Sequence, residues 1–317
     1  MGPAPGQPGA GRLNADSQDV HVDVEGRTLR LVNLDKVLYP ETGTTKAEVI
    51  SYYTRVAPAM LPAIADRPVT RVRWPHGTGA ASFFEKNAPG GTPSWVRTMD
   101  VDTSGSRTID RTPGVLRFPV VDSLATLVWL SNLAALELHV PQWRATEGQG
   151  YPDRLVIDLD PGEPAGLREC AQVALAVREL LSGLGLACVP VTSGSKGMHL
   201  YASLPSQSDF PLDSGQAAQL AHDIADKLEE QMPKLVTATM TKSKRTGKVF
   251  FDWSQNVAAK TTIAPYSLRG RNRPYAAAPR TWEEIEAGAA DPLALEHLTY
   301  TEVLDRLERD GDLFDLP

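Results

Sequence analysis

The 317-residue sequence predicts an α+β fold in which a sheet is backed by two helices. Two observations predict it. Between residues 154 and 253, short apolar runs alternate with amphipathic stretches in the order strand, helix, hairpin, helix, strand. The chain is also long enough to bury a sizeable core, as one large domain or as two lobes.

In the second half, "RLVIDLD" (154–160) reads as the first strand. The stretch that follows places Leu167, Cys170, Val173, Ala174, Val177, Leu180 and Leu181 on one helical face ending at glycine. "ACVPVTS" and "MHLYASL" are strands joined by "GSKG", "DSGQAAQLAHDIADKLEEQMP" is a capped helix, and "KVFFDWS" supplies a further strand. In the first half, "HVDVEGRTLRLVN" alternates like a hairpin turning at Glu25-Gly26, and "KAEVISYYTRVAPAML" has helical spacing. Asn33 or Asp35 is expected to cap a short turn before Pro40. "VTRVRWPHG" reads as a strand, and Ser123 caps a helix that passes into the alternating "LELHV". "TWEEIEAG" and "TYTEVLDRLERDG" read as two acidic amphipathic helices.

Composition narrows the class. With 42% hydrophobic and 22% charged residues the chain is ordinary globular protein, and its two cysteines, Cys170 and Cys188, form no disulfide framework or zinc pattern, as suits a reducing cytoplasm. No run approaches the length of a membrane span, so no membrane partner is expected. Residues 1–20, rich in Gly and Pro, are expected to be a flexible tail. The formal charge of −7 argues on average against nucleic acid, but it hides an asymmetry. From Lys234 to Arg273 nine cations face Asp252 alone, whereas residues 281–317 carry eleven acids against two arginines.

Side chains alternate along a strand, so Asp158 and Asp160 share one side, roughly 6–7 Å apart, while Ile157 and Leu159 take the other. Two such acids repel unless a cation compensates. A third, Asp252, sits in the apolar run "VFFDWS", where it shares a face with Phe250, opposite Phe251 and Trp253. Acids inside two distant hydrophobic strands make sense if the strands are neighbours sharing Mg²⁺ or Mn²⁺, both of which take oxygen ligands. Two ions about 4 Å apart would activate an attacking hydroxyl and neutralise leaving pyrophosphate.

"TSGSKGMHL" (192–200) offers Ser193, Gly194, Ser195 and Gly197 for close approach of backbone amides to phosphate, with Lys196 as a point charge. It is not a Walker A loop, because the glycine spacing differs and no helix follows. His199 and His139 can each be site residues or ordinary core. Phe83 and Phe84 can be a platform for a base or core. Cations interleaved with Trp253, Tyr266 and hydroxyls in 239–273 form the mixture that grips a phosphate backbone.

The series "LDKVLYP", "TGTTK", "RWPHG", "FFEKN", "LELHVPQW", "DLDPG", "TSGSKGMHLY", "TMTKSKRTGKVFFDWSQN" and "KTTIAPYSLRGR" resembles the polymerase domain of bacterial ligase D and its stand-alone relatives, in the archaeo-eukaryotic primase superfamily. The likeness runs from about Leu31 to the C-terminus. It implies a primase-type core with an RRM-like antiparallel sheet backed by helices over about 151–280, a second β-rich N-terminal lobe over about 21–150, and C-terminal acidic helices over about 281–317.

The resemblance also implies roles. Asp158, Asp160 and Asp252 match metal-binding catalytic carboxylates. Ser193, Lys196, His199, Gln255 and Arg269 match motifs that hold the incoming nucleotide, His139 and Arg245 match further active-site positions, and Phe83 or Phe84 the base-stacking aromatic. Asn33, Lys36 and Lys46 correspond to a pocket for the 5′-phosphate of a gap or broken end. One departure stands out: "RVRW" has Val72 where such domains often carry lysine, which leaves nucleotide contacts from that strand open.

The reading is a primase-polymerase that adds NTPs or dNTPs to a DNA 3′-hydroxyl by two-metal phosphoryl transfer, with Mn²⁺ or Mg²⁺ as cofactor. Ribonucleotide preference and a part in gap filling and end joining follow from the resemblance. Implied partners are DNA with gaps, overhangs or broken ends carrying 5′-phosphate, nucleoside triphosphates, Ku and a DNA ligase, in a bacterial cytoplasm at the nucleoid. The alternatives are a metal-dependent nuclease or phosphohydrolase, which would shorten the primer, and a non-catalytic DNA-end-binding module.

Overall fold

The computed structural model describes residues 19–102, 114–204 and 212–316. The tail expected over 1–20 lies outside the described residues up to position 18, and a strand opens at Val20. That strand, Val20–Val24, pairs with Arg27–Leu31 through Glu25 and Gly26, whose φ values of 54° and 72° are those a two-residue I′ turn requires. A short turn at Leu34-Asp35, closed by the Lys36 amide on the Asn33 carbonyl, precedes Pro40, and Val37–Tyr39 after it is a short strand paired with Thr44–Thr45.

Helix α1, Lys46–Ile64, starts from a capping box in which Thr45 and Glu48 satisfy each other's amides. Helix α2, Leu124–Asn132, starts at Ser123, whose hydroxyl accepts from the Thr126 amide. Both pack against a four-stranded sheet ordered Thr262–Ile263, Ala135–Val140, Thr70–Arg73, Phe83–Glu85. Tyr52, Tyr53, Val56 and Met60 of α1, Leu127 and Leu130 of α2, and Leu136 and Leu138 of the sheet form this core. Each such side chain contributes about 1.5–3 kcal/mol on leaving water. The Tyr52 and Tyr53 hydroxyls avoid burial without partners by donating to the carbonyls of Tyr266 and Leu136.

A six-stranded sheet forms the second half, in the order Val236–Thr237, Val249–Phe251, Arg154–Pro161, Met198–Ser203, Cys188–Thr192, Ala278–Pro279. All neighbours are antiparallel except the first pair. Helices α3, Leu167–Gly183, and α4, Ser214–Gln231, cover one face, where Leu155, Ile157 and Leu159 meet Val173, Val177, Ala221, Ile224 and Leu228. Helix α5, Trp282–Ala290, packs beside α3, with the Arg178 guanidinium 4.5 Å above the Trp282 ring. Helix α6, Tyr300–Asp310, buries Val303 and Leu304 against the first core. The acidic segment thus covers the domain. No described helix is long and apolar enough to cross a membrane.

The alternation along Arg154–Pro161 positions the site. Its odd-numbered residues face α3 and α4, while Val156, on the opposite face, joins the first core. Asp158 and Asp160 continue that second face past the edge of the core to an opening between the two halves.

Candidate active site

Asp158 lies opposite His199 on the neighbouring strand, and the two side chains meet, His199 Nε2 to Asp158 Oδ1 at 3.1 Å. On the other flank Leu159 pairs with Phe251 and Asp160 with Phe250. The Asp252 amide donates to the Asp158 carbonyl at 2.9 Å, so Asp252 sits directly across from Asp158. Acids 92 or more residues apart in the chain are thereby neighbours. One expectation is corrected: Asp252 is not a strand residue. The strand ends at Phe251, and Asp252 caps a short 3₁₀ helix, Trp253–Asn256, because its carboxylate accepts from the Ser254 amide and hydroxyl at 3.1 and 2.6 Å. Its second oxygen accepts from Gln255 Nε2 at 2.8 Å.

Asp158 and Asp252 are buried and Asp160 is exposed at the rim. The protein around Asp160, with Asp158 next and Asp252 adding to it, pushes its carboxyl up to about 6, against the opposing pull of His199 and Arg245. Among the described residues no group of three or more His, Cys, Asp or Glu side chains is drawn together as a ready-made metal cage. Both Asp252 oxygens are engaged within its own segment, by Ser254 and Gln255.

A cavity of about 280 Å³ opens beside the acids. It is lined by His139, Asp158, Asp160, Ser193, Ser195, Lys196, His199, Gln255, Thr261, Thr262, Ile263, Arg269 and Arg271. The Ser193–Gly197 hairpin closes one wall, with the Ser193 amide on the Gly197 carbonyl at 2.9 Å. Gly197 is obligatory because a Cβ there would lie 1.9 Å from the Leu159 carbonyl oxygen, and Gly194 holds a φ of 69° against the Ala276 carbonyl. Lys196 is exposed and reaches Glu163 at 3.4 Å. Arg271 donates to Ser195 Oγ, which ties the second wall to the hairpin.

Arg245 lies outside this lining and stacks on Phe250, 3.4 Å from the ring centroid, where its charge still reaches Asp160. Phe83 and Phe84 are 50% and 61% exposed on the edge strand, which excludes the core reading. Phe84, Val72 and Glu137 form one register row across three strands, so Phe84 stands about 10 Å from Glu137 at ordinary strand spacing. Val72 fills the middle of that row with an apolar side chain. Asn33, Lys36 and Lys46 gather apart from the cavity: the Lys36 amide donates to the Asn33 carbonyl at 3.1 Å, the Lys46 amide to the Lys36 carbonyl at 2.8 Å, and Lys46 Nζ to the Val32 carbonyl at 2.6 Å. Burial first, then the charges of Lys36 and Arg73, lower the Lys46 ammonium to about 8.

Sequence reasoning passed over Glu137, Arg271, Thr261 and Thr262. For Glu137 a signal existed, since "LELHV" places an acid two residues from His139 in an apolar strand, the same pattern that singled out Asp158 and Asp160.

Three comparisons bear on this arrangement. The family model described as LigD, primase-polymerase domain, matches residues 45–314. The chain is 53% identical over 286 residues to the multifunctional non-homologous end joining protein LigD of Mycolicibacterium smegmatis, covering 90% of this chain and 35% of that protein. It is 32% identical over 283 residues to the bifunctional non-homologous end joining protein LigD of Bacillus subtilis, covering 89% and 43%. This chain therefore spans well under half the length of these relatives. Its structure superposes on the polymerase domain of Mycobacterium tuberculosis ligase D in complex with DNA with a TM-score of 0.81 at 50% identity, covering 91% of this chain and 99% of that one. With its α+β primase-type core, the chain belongs to the LigD primase-polymerase domain family.

Proposed function

We propose that this chain is a template-directed nucleotidyltransferase that extends a DNA 3′-hydroxyl with nucleoside triphosphates at gaps and broken ends. One observation carries the reading: Asp158 and Asp160 line a cavity whose other walls are the Ser193–Gly197 hairpin and the Arg269–Arg271 turn, and the Asp252 backbone is bonded directly across from Asp158. Acids on one side and cations with small residues on the other match a nucleotide with its polyphosphate toward the cations and its reacting phosphorus toward the acids.

The donor set fits a divalent cation, because all three candidate ligands are carboxylates, and burial first, then the charges of Asp158 and Asp252, raises Asp160. Asp158, Asp160 and Asp252 would hold it, and when bound it supplies charge neutralisation for the attacking and leaving oxygens. His199 orients Asp158 through the 3.1 Å contact, and Ser254 with Gln255 fixes Asp252. Lys196 is exposed, with its ammonium 3.4 Å from Glu163, and can swing to a phosphate. Arg269 and Arg271 face the same space. Phe83 or Phe84 offers a stacking surface for a base, and Asn33, Lys36 and Lys46 a pocket for a 5′-phosphate. Ribonucleotide preference, work with Ku and a ligase, and a nucleoid setting complete the proposal, supported by the end-joining names of the relatives.

A labelled primer on gapped, 5′-phosphorylated DNA, incubated with Mn²⁺ and either NTP or dNTP, tests this. Growth of the primer, faster with NTP, is expected. Shortening would replace the proposal with a nuclease, and binding without any change in length with an end-binding module.

A further inference from the structure

We propose that Glu137 is a positioning residue of the nucleotide cavity: it holds the Arg269–Gly270 turn and the His139 ring in register with each other. The inference rests on the reading of His139 and Arg269 as nucleotide-binding residues. Glu137 itself does not line the cavity and would act only through these neighbours.

A carboxylate in the middle of the strand Ala135–Val140, 8% exposed and flanked by the core residues Leu136 and Leu138, is costly to bury unless its oxygens are engaged. Both are. Oε2 lies 2.9 Å from His139 Nε2, and Oε1 accepts from the Gly270 amide at 3.0 Å and sits 3.5 Å from Arg269 Nε. Burial alone would raise this carboxyl, but the contacts with His139, Arg269 and the Gly270 amide outweigh it and hold the group at about 2. Burial lowers His139 in turn. At neutral pH the pair is a carboxylate accepting from a neutral imidazole, which places the ring proton on Nε2 and the lone pair on Nδ1.

The turn needs such a hold. Its other ties include the Arg269 amide on the Tyr275 carbonyl at 2.8 Å, the Tyr39 hydroxyl on the Arg269 carbonyl at 2.9 Å, and Gly270 pressed against Trp74, where a Cβ would come within 2.1 Å of the ring, with Arg271 on Ser195 Oγ and Asn272 Nδ2 on Glu41 at 2.7 Å just beyond. Tyr39, Trp74 and Glu137 all belong to the first half of the chain, while the turn carries Arg269 and Arg271 into the cavity from the second. Glu137 is the carboxylate of this clamp that reaches Arg269 and Gly270 themselves. It also explains why the residue is an acid. His139 Nε2–H and the Gly270 N–H are both donors arriving from separate segments, and a carboxylate offers an acceptor oxygen to each. Glutamine has one acceptor. It would satisfy Gly270 and turn its NH₂ toward His139, forcing the proton to Nδ1, or satisfy His139 and leave the Gly270 amide facing a donor.

Glu137→Gln and Glu137→Asp test this against wild type in gapped-primer extension, with direct NTP binding, DNA affinity and thermal midpoint measured alongside. Long-range ¹H–¹⁵N spectra of the histidines report the tautomer. For Glu137→Gln a rise in KM for NTP of about tenfold or more, one lost interaction of about 1.4 kcal/mol or more, is expected, with kcat and DNA affinity near wild type, a lowered thermal midpoint from loss of the ionised group's contacts, and the His139 proton moved from Nε2. Glu137→Asp, which keeps two acceptor oxygens on a shorter arm, should recover part of the NTP affinity. An unchanged KM with an unchanged tautomer, or an equal fall in stability, DNA affinity and turnover, would overturn the proposal while leaving the nucleotidyltransferase reading standing. Wild-type protein that neither binds NTP nor extends a primer would overturn both.

Discussion

Lys46 offers a prediction in which stability and function move in opposite directions. The residue is 4% exposed at the start of α1, and its ammonium is lowered from 10.5 to about 8 by burial and by the charges of Lys36 and Arg73. Keeping it protonated in the folded protein at pH 7 costs about 3 kcal/mol relative to the unfolded chain. Lys46→Met removes that cost and leaves the Val32 carbonyl without its donor, a loss of about 1–2 kcal/mol. The net expectation is a gain of about 1–2 kcal/mol, seen as a thermal midpoint higher by about 2–4 °C. The sign with pH is also set. Between about 8 and 10.5 the unfolded chain binds the proton and the folded one does not, so wild type gains stability as pH rises there and the variant lacks that rise. In the proposed 5′-phosphate pocket the same ammonium is the anchor, so Lys46→Met should lose the preference for 5′-phosphorylated over 5′-hydroxyl gaps in fluorescence anisotropy. In wild type that preference should weaken about tenfold between pH 7 and 9, as the protonated fraction falls. A less stable variant that keeps its 5′-phosphate preference would refute the reasoning.

Asp160, raised to about 6, should make Mn²⁺-dependent extension fall as pH drops through 6, because a protonated carboxyl does not ligate; a rate flat from pH 7.5 to 5 would contradict this. A raised carboxyl takes up its proton more readily folded than unfolded, so metal-free protein should gain stability as pH falls from about 6 toward 3.8, and Asp160→Asn should abolish that dependence in denaturant titrations. Gly197→Ala would set a Cβ 1.9 Å from the Leu159 carbonyl oxygen, between two paired strands. Destabilisation of about 3 kcal/mol or more is expected, and a melting curve matching wild type would show that the hairpin can move aside.

Much of the fold follows from local chemistry. The Glu25-Gly26 turn, the Ser123 cap and the faces of α3 and α4 each depend on residues within a few positions of one another. Asp158 and Asp160 share a face for the same reason. What brings Asp252 beside them is strand order, Val249–Phe251 next to Arg154–Pro161, which depends on pairing across 90 residues or so and was reachable only through the chemistry a third acid would serve. The two-residue strands Val236–Thr237 and Ala278–Pro279 are too short to show any period. Asp252 left its strand because a Ser two residues on offers a local cap, which outcompetes the ladder. Phe83 and Phe84 are ambiguous as letters, and only their place on an edge strand exposes them.

The central claim is that Asp158, Asp160 and Asp252 together hold the ions that drive nucleotide addition. Mn²⁺ bound to the protein in the presence of NTP, counted by electron paramagnetic resonance at pH 7.5, measures it directly. Wild type is expected to bind, and Asp158→Asn and Asp252→Asn, each on its own, to weaken binding by about 100-fold or more. Mn²⁺ held equally well by both variants would contradict the account.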